Sequence, residues 1–264
     1  MDLNCDMGEI REALADGTQE ELMRYISSAN IACGGHAGDV EMMRKTVEQA
    51  LSHGVHVGAH PGYEDRADFG RKELELLPEQ ISDAVHRQIL ALEEVAAKCG
   101  AAIGHVKPHG ALYNQAACDR KIARAIADGV RRWRANVILV GLAGSVMLDE
   151  FREAGFPVAA EAFADRRYEQ DGSLRSRKFE DALLDPKEAA QQALRIVEHE
   201  SVIAAGDKTI PIHASTICIH GDAPAATEIA AAVHRILVEA GITIRALSRQ
   251  KSRRNMRLPR RDSI

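Results

Sequence analysis

The 264-residue sequence lacks the features that mark membrane, secreted and disulfide-bonded proteins. Its first residues have neither the basic start nor the apolar core of a signal peptide, and no apolar stretch approaches the roughly 18 residues of a membrane span. The five cysteines are odd in number and widely spaced without a C-x-x-C pair, which argues against a disulfide framework or a zinc knuckle. We therefore expect reduced thiols in a soluble, cytoplasmic protein that does not contact membranes.

The sequence also lacks the standard nucleotide-binding motifs. Neither G-x-x-x-x-G-K-[ST] nor G-x-G-x-x-G occurs, so a nucleotide would have to bind in another way or together with a partner. Internal repeats and Pro/Ser-rich linkers are absent as well. We predict one domain over residues 1–246, because α/β barrels of this length fold as a single unit.

The composition suits a globular domain that carries a basic tail. Apolar residues make up 45% and charged residues 28% of the chain, which is ordinary for a fold with a sizeable core. The formal charge of −5 is unevenly distributed, because residues 245–264 carry eight Arg or Lys against one Asp. We predict that residues 247–264 form a basic, disordered extension with no nucleic-acid partner and no catalytic role.

Short apolar runs alternate with longer segments of helical period. Two of the helical segments cover residues 40–51 and 81–96, where apolar side chains recur every three or four residues. This alternation is typical of a parallel sheet flanked by helices, and a closed or nearly closed α/β barrel fits the number of strands better than an open doubly wound sheet. The predicted strands are 3–5, 29–33, 55–59, 103–106, 137–140, 158–160, 216–219 and 242–244.

Aspartates and glycines indicate where several helices begin and end. Asp is a preferred N-cap residue, and Gly often follows the last turn of a helix. The predicted caps are Asp39, Asp119, Asp185 and Asp222, and the predicted terminating glycines are Gly100, Gly155 and Gly241. Two long irregular segments remain, residues 63–78 and 166–185, which we interpret as an active-site loop and a lid.

Polar residues cluster immediately after six of the predicted strands. In an α/β barrel the carboxyl ends of the strands face one another, and active sites lie there. Carboxylates and imidazoles can transfer protons, and a lysine can hold a phosphate or a carboxylate. We predict catalytic roles for Asp6, His60, Lys107 and His109, and substrate contacts for Asn4, Asn30, His36, Glu161, Asp165, Arg166 and His220.

Structural roles stay open for several of these residues. Asp6 could be a buried carboxylate that backbone N–H groups satisfy, and Lys107 could be a long solvated side chain. Asp165 and Arg166 could form an ion pair at the surface without any part in a site.

Four motifs of the sequence resemble the LamB/YcsF family. They cover residues 2–9 (DLNCDMGE), 28–39 (SANIACGGHAGD), 58–63 (GAHPGY) and 106–114 (VKPHGALYN). The similarity continues through residues 161–172 and 217–224 in family order, so it spans roughly residues 1–246. Gly35 stands where the family often has phenylalanine before the histidine.

The resemblance implies an irregular α/β barrel of about seven strands, similar to glycoside hydrolases and deacetylases. It also implies conversion of 5-oxo-L-proline to L-glutamate by an ATP-dependent 5-oxoprolinase, with ATP and magnesium bound jointly with partner B and C subunits. In that reaction Asp6 or His60 would deprotonate the attacking water. Lys107 and Arg166 would stabilise developing negative charge, and His109 would protonate the leaving nitrogen.

Two other functions stay open at this point. One is a metal-dependent deacetylase or amidohydrolase, in which zinc with one open position would be held by ligands from Asp6, His36, His60 and His109. The other is a non-catalytic subunit that binds 5-oxoproline or a similar small acid and delivers it to catalytic partners.

Overall fold

The computed structural model describes residues 1–222 and 225–248. The strands in this part of the chain are β1 (Asp2–Met7), β2 (Ser28–Ala32), β3 (His56–His60), β4 (His105–Val106), β5 (Ile138–Leu142), β6 (Val158–Phe163), β7 (Ser201–Ile203), β8 (Thr209–Pro211) and β9 (Thr216–Ile219). Seven of them form a closed parallel barrel in the order β1-β2-β3-β4-β5-β6-β9, and β9 pairs back to β1. The prediction of an irregular α/β barrel with about seven strands is confirmed.

Helices connect the strands and cover the outside of the barrel. They are α1 (Arg11–Ala15), α2 (Thr18–Leu22), α3 (Val40–Ser52), α4 (Pro78–Lys98), α5 (Gly110–Cys118), α6 (Arg120–Trp133), α7 (Val146–Glu153), α8 (Pro186–His199) and α9 (Ala226–Glu239). The helices predicted over 40–51 and 81–96 are α3 and α4, and α4 begins earlier because proline suits the first turn of a helix. None of the described helices has the length and apolar composition that a membrane crossing requires.

Local signals predict several helix ends correctly. Asp39, Asp119 and Asp185 each accept hydrogen bonds from backbone N–H groups in the first turns of α3, α6 and α8. The glycines predicted to end α4, α7 and α9 all lie directly after the last turn with positive φ, as expected for this position. These features depend on near neighbours in the chain, which is why the sequence predicts them.

The predicted cap at Asp222 is wrong. Helix α9 begins at Ala226, several residues further on. The Asp222 carboxylate instead pairs with the guanidinium groups of Arg71 and Arg177, and charged donors of this kind bind a carboxylate more strongly than a backbone N–H group does. Pro224, two residues after Asp222, lies outside the described residues.

The segment 242–244 is not a strand, although its isoleucines predict one. Two backbone hydrogen bonds join this part of the chain to Met1, from Met1 N to Thr243 O (2.8 Å) and from Arg245 N to Met1 O (2.9 Å). Both edges of β1 already pair with neighbours, β2 on one side and β9 on the other. Closure of the barrel therefore leaves β1 no edge for an eighth strand, and that prediction is wrong.

The first residues after residue 244 pack against the barrel. Leu247 contacts a small apolar cluster formed by Ile138, Val140 and Ala159. The greater part of the predicted basic extension, residues 249–264, lies outside the described residues. Its disorder and the domain boundary at residue 246 stay predictions.

Residues 201–211 form a hairpin outside the barrel that the sequence does not predict. Strands β7 and β8 are antiparallel and only three residues long each, with Ser201 paired to Pro211. Strands this short contain too few alternating apolar and polar residues to be distinguished from a loop by their sequence. The turn of the hairpin holds the loop 166–185 through a hydrogen bond from Ala205 N to Tyr168 O (2.8 Å).

Candidate active site

Strand β1 carries a column of polar side chains through the interior of the barrel. Successive side chains point to opposite faces of a strand, so residues 3, 5 and 7 belong to the surrounding hydrophobic core while Asp2, Asn4 and Asp6 point inward. At the lower end, Asp2 Oδ1 accepts hydrogen bonds from the hydroxyls of Ser27 and Ser28 (2.7 Å each). Barrels of this class are usually filled by branched apolar side chains, and buried polar groups cost free energy unless they are paired. A polar interior therefore indicates a functional site.

Asn4, Asn30 and His105 form a hydrogen-bonded layer below the carboxyl ends of the strands. Asn30 donates through Nδ2 to Asn4 Oδ1 (2.7 Å) and to Asp6 Oδ1 (2.8 Å). His105 Nε2 lies 2.8 Å from Asn30 Oδ1, and because that oxygen can only accept, the ring donates from Nε2. Asn30 is thereby fixed in the orientation that holds Asp6. His105 is not among the predicted site residues, although it lies two residues before Lys107 and so shares the same face of the chain.

His105 should make the fold sensitive to acid. Burial, together with the charge of Lys107, lowers the pKa of His105 from its usual value of 6.5 to about 3. Between these two values the unfolded chain binds a proton that the folded chain does not, so stability falls as the pH falls through this window and is unaffected above it. The substitution His105→Gln keeps an N–H donor for Asn30 but cannot titrate.

Urea unfolding of the wild type and of His105→Gln over a pH series measures this effect. We expect the wild type to lose about 2 kcal/mol relative to the variant between about pH 6.5 and about pH 5, since each unit of pKa difference corresponds to about 1.4 kcal/mol. The difference should be constant above pH 7. A difference that does not change with pH would show that His105 is not held neutral by its surroundings.

Lys107 lies buried at the centre of the site, below the mouth of the barrel. Its Nζ donates hydrogen bonds to Asp6 Oδ1 (2.9 Å), Cys218 Sγ (3.1 Å) and Asn4 Oδ1 (3.4 Å), and it forms an ion pair with Glu161 Oε1 (3.0 Å). Burial by itself lowers the pKa of Lys107, but Asp6 and its other anionic neighbours hold that pKa well above the usual value. Lys107 is therefore a permanent cation that acts on a ligand through the carboxylates it holds.

Glu161 supports Lys107 from strand β6 and is completely buried. Its Oε1 accepts a hydrogen bond from Asn4 Nδ2 (3.0 Å), and its Oε2 accepts one from the hydroxyl of Tyr113 (2.7 Å). Burial and the adjacent Glu161 charge raise the pKa of Tyr113 well above its usual value, so this hydroxyl remains a donor. Tyr113 is a further part of the site that the sequence does not predict.

Asp6 and His60 face each other at the mouth of the barrel. His60 Nε2 lies 3.3 Å from Asp6 Oδ2, and His60 Nδ1 lies 2.8 Å from the backbone oxygen of Lys107. Burial by itself would raise the pKa of Asp6, but the charges of His60 and Lys107 hold it well below the usual value. Burial lowers the pKa of His60 and Asp6 raises it, with a net rise. An ionised carboxylate thus lies beside a ring that can carry a proton.

A second group of side chains adjoins Asp6 and consists of Glu9, His36, His60 and His109. One potential ligand atom from each lies within 4.8 Å of all the others. Glu9 Oε1 is 2.9 Å from His36 Nε2 and 3.2 Å from His109 Nδ1, and the rings of His36 and His109 are stacked with centroids 3.6 Å apart. Burial by itself raises the pKa of Glu9, but its contacts with His109 and His36 hold that pKa below the usual value.

Asp165, Arg166 and His220 lie on another side of the mouth. Asp165 accepts hydrogen bonds from His220 N (3.1 Å) and Nδ1 (3.0 Å). Burial would raise the pKa of Asp165, but His220 keeps it below the usual value. Arg166 donates to the backbone oxygen of Arg175 (2.6 Å), within the loop 166–185. The structure thus joins Asp165 to His220 and turns Arg166 towards the loop.

The two loops predicted over 63–78 and 166–185 meet at the mouth. In the first loop, Phe69 O lies 2.9 Å from His109 Nε2 and so holds one histidine of the site. Arg71 from the first loop and Arg177 from the second loop both pair with Asp222, with Arg177 Nη1 at 3.1 Å. These ion pairs tie the two loops to the end of β9 above Asp6.

Comparison with known proteins places this barrel in a family. The model of the LamB/YcsF family matches residues 1–252. The chain belongs to the LamB/YcsF family. The A subunit of 5-oxoprolinase from Chloroflexus aggregans is 50% identical over 246 residues, covering 93% of this chain and 98% of that protein. The protein of the same name in Bordetella pertussis is 46% identical over 247 residues, covering 93% and 98%.

A solved structure supports the same assignment. The crystal structure of the lactam utilization protein from Thermus thermophilus superposes with a TM-score of 0.87 at 43% sequence identity. The match covers 94% of this chain and 99% of that chain. The barrel described above is therefore also the fold of that protein.

In this LamB/YcsF chain, most of the predicted site residues form one connected set of contacts. That set consists of Asn4, Asp6, Asn30, His36, His60, Lys107, His109 and Glu161, joined further by Glu9, His105 and Tyr113. Asp165 and His220 form a separate pair beside it. A fixed carboxylate, a buried cation and several imidazoles at one mouth can supply the proton transfer and charge stabilisation that hydrolases use.

Proposed function

We propose that this chain is the A subunit of an ATP-dependent 5-oxoprolinase, which opens the lactam of 5-oxo-L-proline to L-glutamate. The observation that carries the proposal is the 50% identity, over 93% of this chain, to a protein named as the A subunit of 5-oxoprolinase. The words "A subunit" in that name support an enzyme of several subunits. We propose that the B and C subunits are the partners of this chain and that the complex lies in the cytoplasm. The polar interior of the barrel supports a catalytic role over one that only binds a ligand.

ATP hydrolysis supplies the driving force that lactam opening needs. A lactam amide is resonance-stabilised, so water attacks its carbonyl carbon slowly. Transfer of the γ-phosphoryl group of ATP to the lactam oxygen releases ADP and makes that carbon a better electrophile. Addition of one water and cleavage of the C–N bond, with a proton passing to nitrogen, leaves an acyl phosphate. A second water then releases phosphate and yields glutamate.

Asp6 is the group best placed to activate water in this scheme. It borders a small cavity at the mouth of the barrel, together with residues 7–10, 221 and 222. Its Oδ1 is held by Asn30 and Lys107, which leaves Oδ2 on the side of His60. Asp6 orients the water and accepts its proton, and Lys107 positions Asp6. Arg166 turns to a loop carbonyl and has no role in this scheme.

ATP, with magnesium, binds jointly with the partner subunits in this proposal. The sequence contains no phosphate-binding glycine motif of the standard kinds, so this chain is not expected to hold the nucleotide by itself. The chain alone should therefore bind ATP weakly compared with the assembled enzyme.

The test is formation of ADP and glutamate from 5-oxoproline and ATP by purified subunits. We expect stoichiometric production of both products by the mixture of this chain with the B and C subunits, and loss of both when this chain is omitted. Replacement of wild-type chain by Asp6→Asn should lower turnover by at least about 10²-fold. Turnover equal to wild type in the Asp6→Asn mixture would contradict the assignment of Asp6.

A matched control separates loss of chemistry from loss of structure. Asp149 forms an exposed ion pair with Arg152 on α7, so Asp149→Asn, the same change at the surface, should leave turnover unchanged. Competent partners that produce no glutamate with the wild-type chain would overturn the proposed function. Hydrolysis without ATP would indicate an ATP-independent amidohydrolase instead.

A further inference from the structure

We propose that Glu9, His60 and His109 bind a divalent transition-metal ion of the zinc class at the mouth of the barrel. This set of two histidines and one carboxylate matches the ligands that catalytic zinc sites use, and it leaves one position open. The inference concerns the chain by itself and holds whatever substrate the assembled enzyme takes. It differs from a site built on Asp6, because the ligand atoms that lie within 4.8 Å of one another come from Glu9 and the three histidines, whereas Asp6 Oδ1 is engaged by Lys107 and Asn30 and Asp6 Oδ2 lies beside His60.

Backbone carbonyls determine which nitrogen of each ring faces the proposed ion. His60 Nδ1 lies 2.8 Å from Lys107 O, and His109 Nε2 lies 2.9 Å from Phe69 O. A carbonyl oxygen can only accept a hydrogen bond, so each of these ring nitrogens carries the hydrogen. In the neutral rings, His60 Nε2 and His109 Nδ1 therefore present lone pairs. Metal-ligating histidines commonly donate their other N–H to a backbone carbonyl in this way.

With both rings neutral, the inward-facing atoms repel one another unless a proton or a metal ion lies between them. His60 Nε2 and His109 Nδ1 are only 3.0 Å apart. Glu9 Oε1 lies 3.2 Å from His109 Nδ1 and 3.7 Å from His60 Nε2. Two lone pairs and a carboxylate at these separations require either a shared proton or a metal ion.

The separations suit a metal ion. Ligands at about 2.1 Å from a tetrahedral ion lie about 3.4 Å from one another. The three separations among Glu9, His60 and His109 are 3.0, 3.2 and 3.7 Å, so an ion requires shifts of only a few tenths of an ångström. The side chains are buried, with at most 7% exposed, and rigidly supported, which favours a preformed site.

His36 supports this site from outside. Its Nε2 lies 2.9 Å from Glu9 Oε1, and its ring stacks on that of His109. Within the described residues, His36 Nδ1 is buried without a hydrogen-bond partner, so the ring is best satisfied when Nε2 carries the hydrogen and donates it to Glu9. His36 then orients the carboxylate, as outer partners of metal ligands do.

Zinc binding by the purified chain alone tests the proposal. The chain is stripped with a chelator and titrated with Zn²⁺ by calorimetry, and with Co²⁺ by visible absorption, which reports the ligand geometry. We expect one ion per chain. Glu9→Gln, His60→Gln and His109→Gln should each weaken binding by about 100-fold or more, and His36→Asn by about 10–100-fold.

The exposed His199 provides the matched control, and His199→Gln should bind zinc like the wild type. Circular dichroism of each variant establishes that it is folded before titration. Cobalt absorption typical of tetrahedral coordination by the wild type supports the site even where one variant fails to fold. The proposal is overturned if the wild type does not bind zinc, or if folded His60→Gln and His109→Gln bind zinc as tightly as the wild type. In either case a shared proton, and not a metal ion, holds the inward-facing atoms together. These measurements need no substrate, so the zinc site can be refuted without refuting the proposed reaction, and the reverse also holds.

Discussion

Lys107→Met should nearly abolish turnover by the assembled enzyme and destabilise the barrel by about 3–5 kcal/mol. Lys107 is the cation between Asp6 and Glu161, at 2.9 and 3.0 Å, and methionine fills much of the same volume without the charge. Two buried carboxylates would then lose their shared partner, and Asp6 would lose one of the contacts that position it. We expect kcat to fall by at least about 10²-fold. Turnover by the mixed subunits and urea unfolding of the chain measure the two effects.

The same substitution at the surface separates the effect of burial from the effect of charge. Lys98 pairs with Glu94, and both side chains are 71% exposed, so Lys98→Met should change stability by less than about 0.5 kcal/mol. Combining Lys107→Met with Glu161→Gln should cost less than the sum of the two single substitutions, because the second removes a carboxylate that the first leaves unpaired. Wild-type stability of Lys107→Met would show that the buried ion pairs do not form.

The sequence predicts the barrel and much of its site because both follow from strand periodicity. Asp6 lies near the carboxyl end of β1, and Lys107 directly follows β4, although the two residues are 101 positions apart in the sequence. Parallel strands in a closed barrel bring their carboxyl ends to one mouth, so these residues meet without any local signal linking them. The resemblance to LamB/YcsF proteins pointed to the same positions.

The parts that the sequence does not predict depend on tertiary geometry. Glu9 lies beyond β1, after Gly8 with a φ of 71°, and only this turn brings its carboxylate among the histidines. His105 lies in a strand of only two residues, so its spacing of two from Lys107 is a weak signal of the face it occupies. Asp222 has the sequence context of a helix cap, but two arginines from distant loops reach it.

Barrel closure explains the remaining error in the strand prediction. Residues 242–244 have the composition of a strand, and composition cannot show whether a neighbouring strand has a free edge. Because β9 pairs with both β1 and β6, the barrel closes before the chain reaches residue 242. The number of strands in the barrel therefore depends on which strands pair with one another and not on the composition of one segment.

Gly58→Ala should be one of the most damaging additions of a single methyl group to this protein. Gly58 on β3 is paired with His105 on β4, and a Cβ at Gly58 would lie 2.0 Å from His105 Nε2. The imidazole ring of His105 cannot move away without losing a hydrogen bond, because its Nε2 donates to Asn30, which in turn donates to Asp6. We expect a loss of at least about 3 kcal/mol, from overpacking and from a buried polar group left without its partner. Urea unfolding measures it.

Gly104→Ala is the matched control, because it adds the same methyl group next to the same histidine. The nearest atom to a Cβ there is Val57 O at 3.8 Å, an ordinary contact, so stability should change by less than about 1 kcal/mol. Shortening the ring to Ala in Gly58→Ala/His105→Ala should restore part of the lost stability, since the methyl group then has room. If Gly58→Ala alone is as stable as the wild type, His105 does not lie over Gly58, and its link through Asn30 to Asp6 is wrong as well.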